Sequence, residues 1–176
     1  MIGFKPTSVE GALLESAQNV LLLATIGLYG LSAVYQGQAD RMASVGASVL
    51  AAVLFLRELE LPNTGPITAY LNSDAFRLHE AVVVLAIAIP YLVARWRFIP
   101  GYLDFLQTRH AVPFVTIGIF LLVGDYFDGV TFHGTDAAIF IEELSETLAY
   151  LAFLLTGWFV LRNAQTADHS HAFSRC

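Results

Sequence analysis

Five apolar runs, each at the centre of a candidate membrane span, dominate the chain. "VLLLATIGLYGLSAVY", "ASVGASVLAAVLFL", "AVVVLAIAIPYLVARW", "VPFVTIGIFLLVG" and "LAFLLTGWFVL" follow one another with short polar breaks. A helix crosses lipid with roughly 20 mostly apolar residues. Each run is continuously apolar rather than alternating, which argues against barrel strands. The expected spans are about 15–35, 42–59, 80–99, 111–126 and 137–161. They fill nearly the whole chain and leave no room for a soluble domain. The expected fold is therefore all-α: a polytopic integral membrane protein, a single bundle of five transmembrane helices over 1–165. A flexible cytoplasmic tail is expected over 166–176.

Composition agrees. The 176 residues are 56% hydrophobic and only 14% charged. A soluble domain carries about 25% charged residues. One cysteine, Cys176, excludes an internal disulfide and any cysteine-based zinc cluster. The net charge of −6 argues against nucleic acid as a partner. The first run starts late, after Gln18 and Asn19, with only Lys5 before it, so it reads as a retained span rather than a signal peptide.

Arginine placement orients such a chain, because cytoplasmic connections are rich in Lys and Arg. Arg41, Arg95, Arg97, Arg109, Arg162 and Arg175 fall on one side of a five-span arrangement, with only Asp40, Asp104 and Asp168 against them. The other side holds Lys5, Arg57 and Arg77 against twelve carboxylates. The expectation is N-terminus outside and C-terminus in the cytoplasm, in a bacterial inner membrane. Trp96 and Trp158 fall toward the same cytoplasmic face, where indoles prefer to sit.

The acidic side carries the residues with chemical promise. Glu142 and Glu146 are four apart and share a helix face. Glu146 lies a turn or more into its span, too deep for helix capping to explain. Two near carboxylates in a poorly hydrated place cannot both stay ionised cheaply, so one takes a proton, a cation or a metal. Other spans bring polar groups to the same level: Arg57 and Glu58, His79 and Glu80, Asp125 and Asp128, and Glu15. His133 lies in the following connection.

As a metal site, His79, Glu80, Asp125, Glu142 and Glu146 form the first tier, with Glu15, Glu58, Asp128 and His133 behind them. Histidine with carboxylates suits iron, manganese or zinc, and calcium where oxygens dominate. Glu142 and Glu146 would be ligands or acid–base groups, with Arg57 as a charge partner or anchor. Haem ranks lower, because His79 and His110 are expected on opposite sides. The opposing account is solvation and helix-dipole stabilisation at span ends.

Two functional classes follow from the sequence. One is a membrane-embedded site that binds a metal ion or exchanges protons, extending to a small metalloenzyme. The other is non-catalytic: an accessory subunit of a larger membrane complex or a homo-oligomer, with cation conduction through an acidic vestibule below it. The bilayer is the partner common to both.

Overall fold

The computed structural model describes residues 8–59, 65–71, 73–106, 111–129 and 136–173. These form helices α1 (Ser8–Tyr35), α2 (Gln38–Glu58), α3 (Pro66–Leu71), α4 (Asp74–Ala94), α5 (Ile99–Leu106), α6 (Val112–Gly129) and α7 (Asp136–Phe173). A 3₁₀ turn, Trp96–Phe98, joins α4 to α5. No strand occurs among the described residues.

Four helices contain windows long and apolar enough to cross a membrane: Leu14–Tyr35, Gln38–Glu58, Ala75–Ala94 and Phe140–Ala167. The fourth expected span, 111–126, is a helix, but its apolar part, Val112–Phe127, is shorter than the other four. At 1.5 Å per residue the whole of α6 reaches about 27 Å. Helix also replaces irregular chain in two places. α5 occupies the connection expected after the third span, and α7 runs on to Phe173 through the stretch expected as a tail.

The bundle is α1, α2, α6 and α7. α1 packs on α2 and α7, and α6 packs on α7. α1 and α7 run parallel. Gln18 meets Thr147 near their starts, and Tyr29 meets Phe153 and Gly157 about three turns on. α2 returns against α1 after a tight connection at Gln36–Gly37, and α6 is antiparallel to α7. α4 stands apart. Its main neighbour is α3, and none of its apolar window is buried. Pro90 sits within α4, yet the helix continues to Ala94. Only one backbone bond is lost to the proline, and local adjustment absorbs it.

In lipid, apolar surface alone does not drive helices together; close packing and hydrogen bonds do. The core shows this. Leu22, Tyr29, Ala51, Leu54, Ile117, Ala149, Tyr150 and Phe153 form the buried cluster, and its small members let the helix backbones approach. Gly157 is the tightest crossing of α1 and α7: a Cβ there would stand 3.1 Å from Tyr29 Cε2 and 3.4 Å from Leu28 Cβ. Two buried hydroxyls of α1 are satisfied locally. Thr25 donates to the Leu21 carbonyl (2.7 Å) and Ser32 to the Leu28 carbonyl (2.8 Å). Such back-bonding to the previous turn suits a helix that has no water beside it.

Candidate functional site

The polar centre of the bundle forms where the end of α2 meets the early turns of α7. Arg57 Nη2 donates to Glu146 Oε1 at 2.8 Å. Its Nε lies 3.6 Å from Glu58 Oε1. The same Glu58 oxygen accepts from the Tyr150 hydroxyl at 2.8 Å. Glu146 and Tyr150 are four apart and therefore share a face of α7. Arg57 and Glu58 are adjacent at the last turn of α2, and together they bracket that face.

Burial is uneven across the group. The Glu146 side chain is 8% exposed and that of Glu58 15%, whereas that of Arg57 is 46% exposed. The centre is thus closed on the carboxylate side and open on the guanidinium side. Gly124 of α6 closes it further, since a Cβ at that position would stand 3.1 Å from Glu146 Cγ and 3.7 Å from the Glu142 carbonyl. A larger residue at 124 would displace the glutamate. Asp125, the next residue, is exposed but close enough for its charge to act on Arg57. α1 contributes Gln18, buried, whose amide donates to Thr147 Oγ1 (3.1 Å) and the Glu143 carbonyl (3.3 Å).

The structure distributes the expected ligands over two places. Glu146, Glu58 and Arg57 come together, with Asp125 near them and Glu142 half-buried one turn before Glu146. His79 and Glu80 ride on α4, away from that packing. The exposed His79 Nδ1 is 2.7 Å from the Tyr70 hydroxyl of α3, and Glu80 Oε1 is buried without a hydrogen-bond partner. Glu15 is exposed on α1. Asp128 belongs to α6, and nothing further is described of its side chain. His133 lies outside the described residues. The expected convergence of all five spans therefore becomes a meeting of α2 and α7, closed by α6 and braced by α1. The physical reason is that α4 does not pack into the bundle.

Among the described residues, no group of three or more His, Cys, Asp or Glu is arranged to hold a metal ion. Glu146 instead spends an oxygen on Arg57, a cation already supplied by the protein. Tyr150, Gly124 and Gln18 join the centre although none was among the expected site residues. The signal for Tyr150 was its i+4 spacing from Glu146, and for Gly124 its place beside Asp125.

No family model, curated protein or solved structure matches the chain, so the arrangement of Arg57, Glu58, Glu146 and Tyr150 is read from its own geometry.

Proposed function

We propose that this is a small integral membrane protein whose Arg57–Glu58–Glu146–Tyr150 centre exchanges protons at one end of the bundle. The observation that carries the reading is the charge imbalance at the α2–α7 contact. One guanidinium faces two poorly exposed carboxylates, with Asp125 adding a third negative charge nearby. Ionisable residues inside membrane helices are costly and are retained mainly where they act. A proton shared among the carboxylates balances the excess, and the half-open Arg57 side provides access. The arginine distribution supports placing this end outside, with the N-terminus out, the C-terminus in and α6 as a fifth, short crossing.

The test is infrared difference spectroscopy of the reconstituted protein through a pH titration. A protonated-carboxyl band that shifts on deuteration, disappears in Glu146→Gln and survives in Glu15→Gln is the expected result. Absence of a protonated-carboxyl band that persists above the ordinary carboxylate range and is lost in Glu146→Gln rejects the reading. Iron, manganese, zinc or calcium bound stoichiometrically and lost in Glu146→Gln replaces it with the metal-site reading.

A second reading, an accessory subunit or homo-oligomer, is favoured by one observation: no residue in the apolar window of α4 is fully buried. Lipid or another subunit covers that face. Mild extraction with mass measurement distinguishes them, because a subunit copurifies with its partner in fixed ratio.

A further inference from the structure

The opposite end of the bundle holds a feature that the polar centre does not use. A cleft of about 460 Å³ opens between the α1–α2 turn, the α4–α5 connection and the start of α6. Ala43, Ala47, Phe98 and Phe114 give it an apolar wall, while Asp40 and Arg97 supply charge. A second recess, of about 440 Å³, adjoins it and shares Gln36, Asp40 and Val160. Tyr35 and Asn163 also line that recess, which makes it the more polar of the two. Asp40 thus stands where an apolar space meets a polar one.

Most polar groups around the cleft are already committed within the chain. The Tyr102 hydroxyl donates to the Ala39 carbonyl, and the Ser44 hydroxyl donates to Gln36 Oε1 at 2.6 Å. Arg41 Nε donates to the carbonyls of Ala33 (3.0 Å) and Gln36 (2.9 Å), satisfying acceptors at the end of α1. Asp40 and Arg97 are different. Both are exposed, and no hydrogen bond or ion pair joins either to the other or to another described residue. The Arg97 guanidinium carbon lies 4.9 Å from the Phe98 ring centroid, which holds the cation against the cleft wall. Asp40 lies just inside the apolar window Gln38–Glu58, and Arg97 just beyond Ala75–Ala94. Both charges therefore stand at the level of lipid headgroups rather than in hydrocarbon.

We propose that the cleft binds a phospholipid whose headgroup carries a primary ammonium. The lipid phosphate accepts from the Arg97 guanidinium, the ammonium donates to the Asp40 carboxylate, and the chains leave along Ala43, Ala47 and Phe114. One cation and one anion on an apolar wall are complementary to a zwitterionic amphiphile. A lipid of net negative charge would gain Arg97 but meet the like charge of Asp40, which acts as the repulsive element. A choline headgroup would reach Asp40 with no N–H to donate, whereas a primary ammonium offers three.

The test uses the full chain, delipidated in detergent, with binding read by native mass spectrometry. The probes are phosphatidylethanolamine, phosphatidylcholine and phosphatidylglycerol with identical short chains. The ethanolamine lipid should bind about fivefold to tenfold more tightly than either of the others, roughly the worth of one hydrogen bond to a charged group at a half-open site. Asp40→Ala should erase the preference over the choline lipid and turn it toward phosphatidylglycerol, because Arg97 then acts alone. Arg97→Gln should weaken all three lipids. Ala43→Phe, at an exposed position of the wall, should weaken all three by filling the cleft. The substituted side chains are exposed, so each variant should keep the wild-type circular dichroism spectrum. Equal binding of the three lipids by the wild-type chain, or tightest binding of phosphatidylglycerol, overturns the proposal. So does an ethanolamine preference that survives in Asp40→Ala, or binding that is unchanged in Arg97→Gln.

Discussion

Breaking the Arg57–Glu146 pair from either side should have unequal consequences. In Arg57→Met the group left behind is Glu146, whose side chain is 8% exposed. Removing one partner of a buried pair costs about 3–5 kcal/mol, because the remaining charge is orphaned. In Glu146→Gln the group left behind is Arg57, 46% exposed and still 3.6 Å from Glu58. Half-open charges with a second partner are far less penalised, so about 1–2 kcal/mol is expected. The double variant Arg57→Met, Glu146→Gln removes the Glu146 orphan but leaves Glu58, 15% exposed and still accepting from Tyr150, without its cation, so it should return only to within about 2 kcal/mol of wild type. The coupling between the two sites is then about 3–4 kcal/mol, at or just above the upper end for residues in contact. The assay is reversible unfolding in mixed micelles, followed by circular dichroism and tryptophan fluorescence, for all four proteins of the cycle. Two single losses of equal size, adding within about 0.5 kcal/mol in the double variant, would refute the argument. The pair would then be a surface contact without energetic consequence.

Further outcomes follow from the same contacts. Tyr150→Phe removes the donor to Glu58 and should cost about 1.5–3 kcal/mol, the range for a hydrogen bond to a charged group, in the same unfolding assay. Gly157→Ala forces a Cβ against Tyr29 and Leu28 and should cost about 1–3 kcal/mol. Gly46→Ala, which meets nothing within 4 Å, should instead be stabilising by up to about 1 kcal/mol through helix propensity. Gly124→Ala should act on the polar centre as well as on stability. By displacing Glu146, it should alter the protonated-carboxyl band, whereas Gly157→Ala leaves that band in place.

Much of the architecture was legible in composition and run length. Stretches such as "VLLLATIGLYGLSAVY" have no amphipathic alternative in water, so they must be helices for a membrane, whatever their neighbours. The i, i+4 spacing of Glu142 and Glu146 also placed them on one face of α7, and Glu146 is indeed the buried one. Its depth followed from counting residues into an apolar run. What spacing along one helix does not contain is the choice of neighbour. His79 and Glu80 flank the start of an apolar run much as the other acids flank theirs, yet α4 lies outside the bundle. Glu58 and Tyr150, 92 positions apart, form a hydrogen bond only because α2 and α7 converge.

The sequence by itself therefore determined the class of the molecule: helical, rich in spans suited to lipid, acidic at one set of helix ends and basic at the other. These properties are local, set by hydropathy and charge along each segment. Tertiary structure decided which charges meet. It gave Glu146 to Arg57 and Glu58 to Tyr150, seated Gly124 against the glutamate, and left α4 outside the bundle, against α3. It also made the cleft that Asp40 and Arg97 line. Such pairings depend on helix–helix packing at single small residues, where one Cβ changes the approach of two backbones, and no linear pattern of polarity records that.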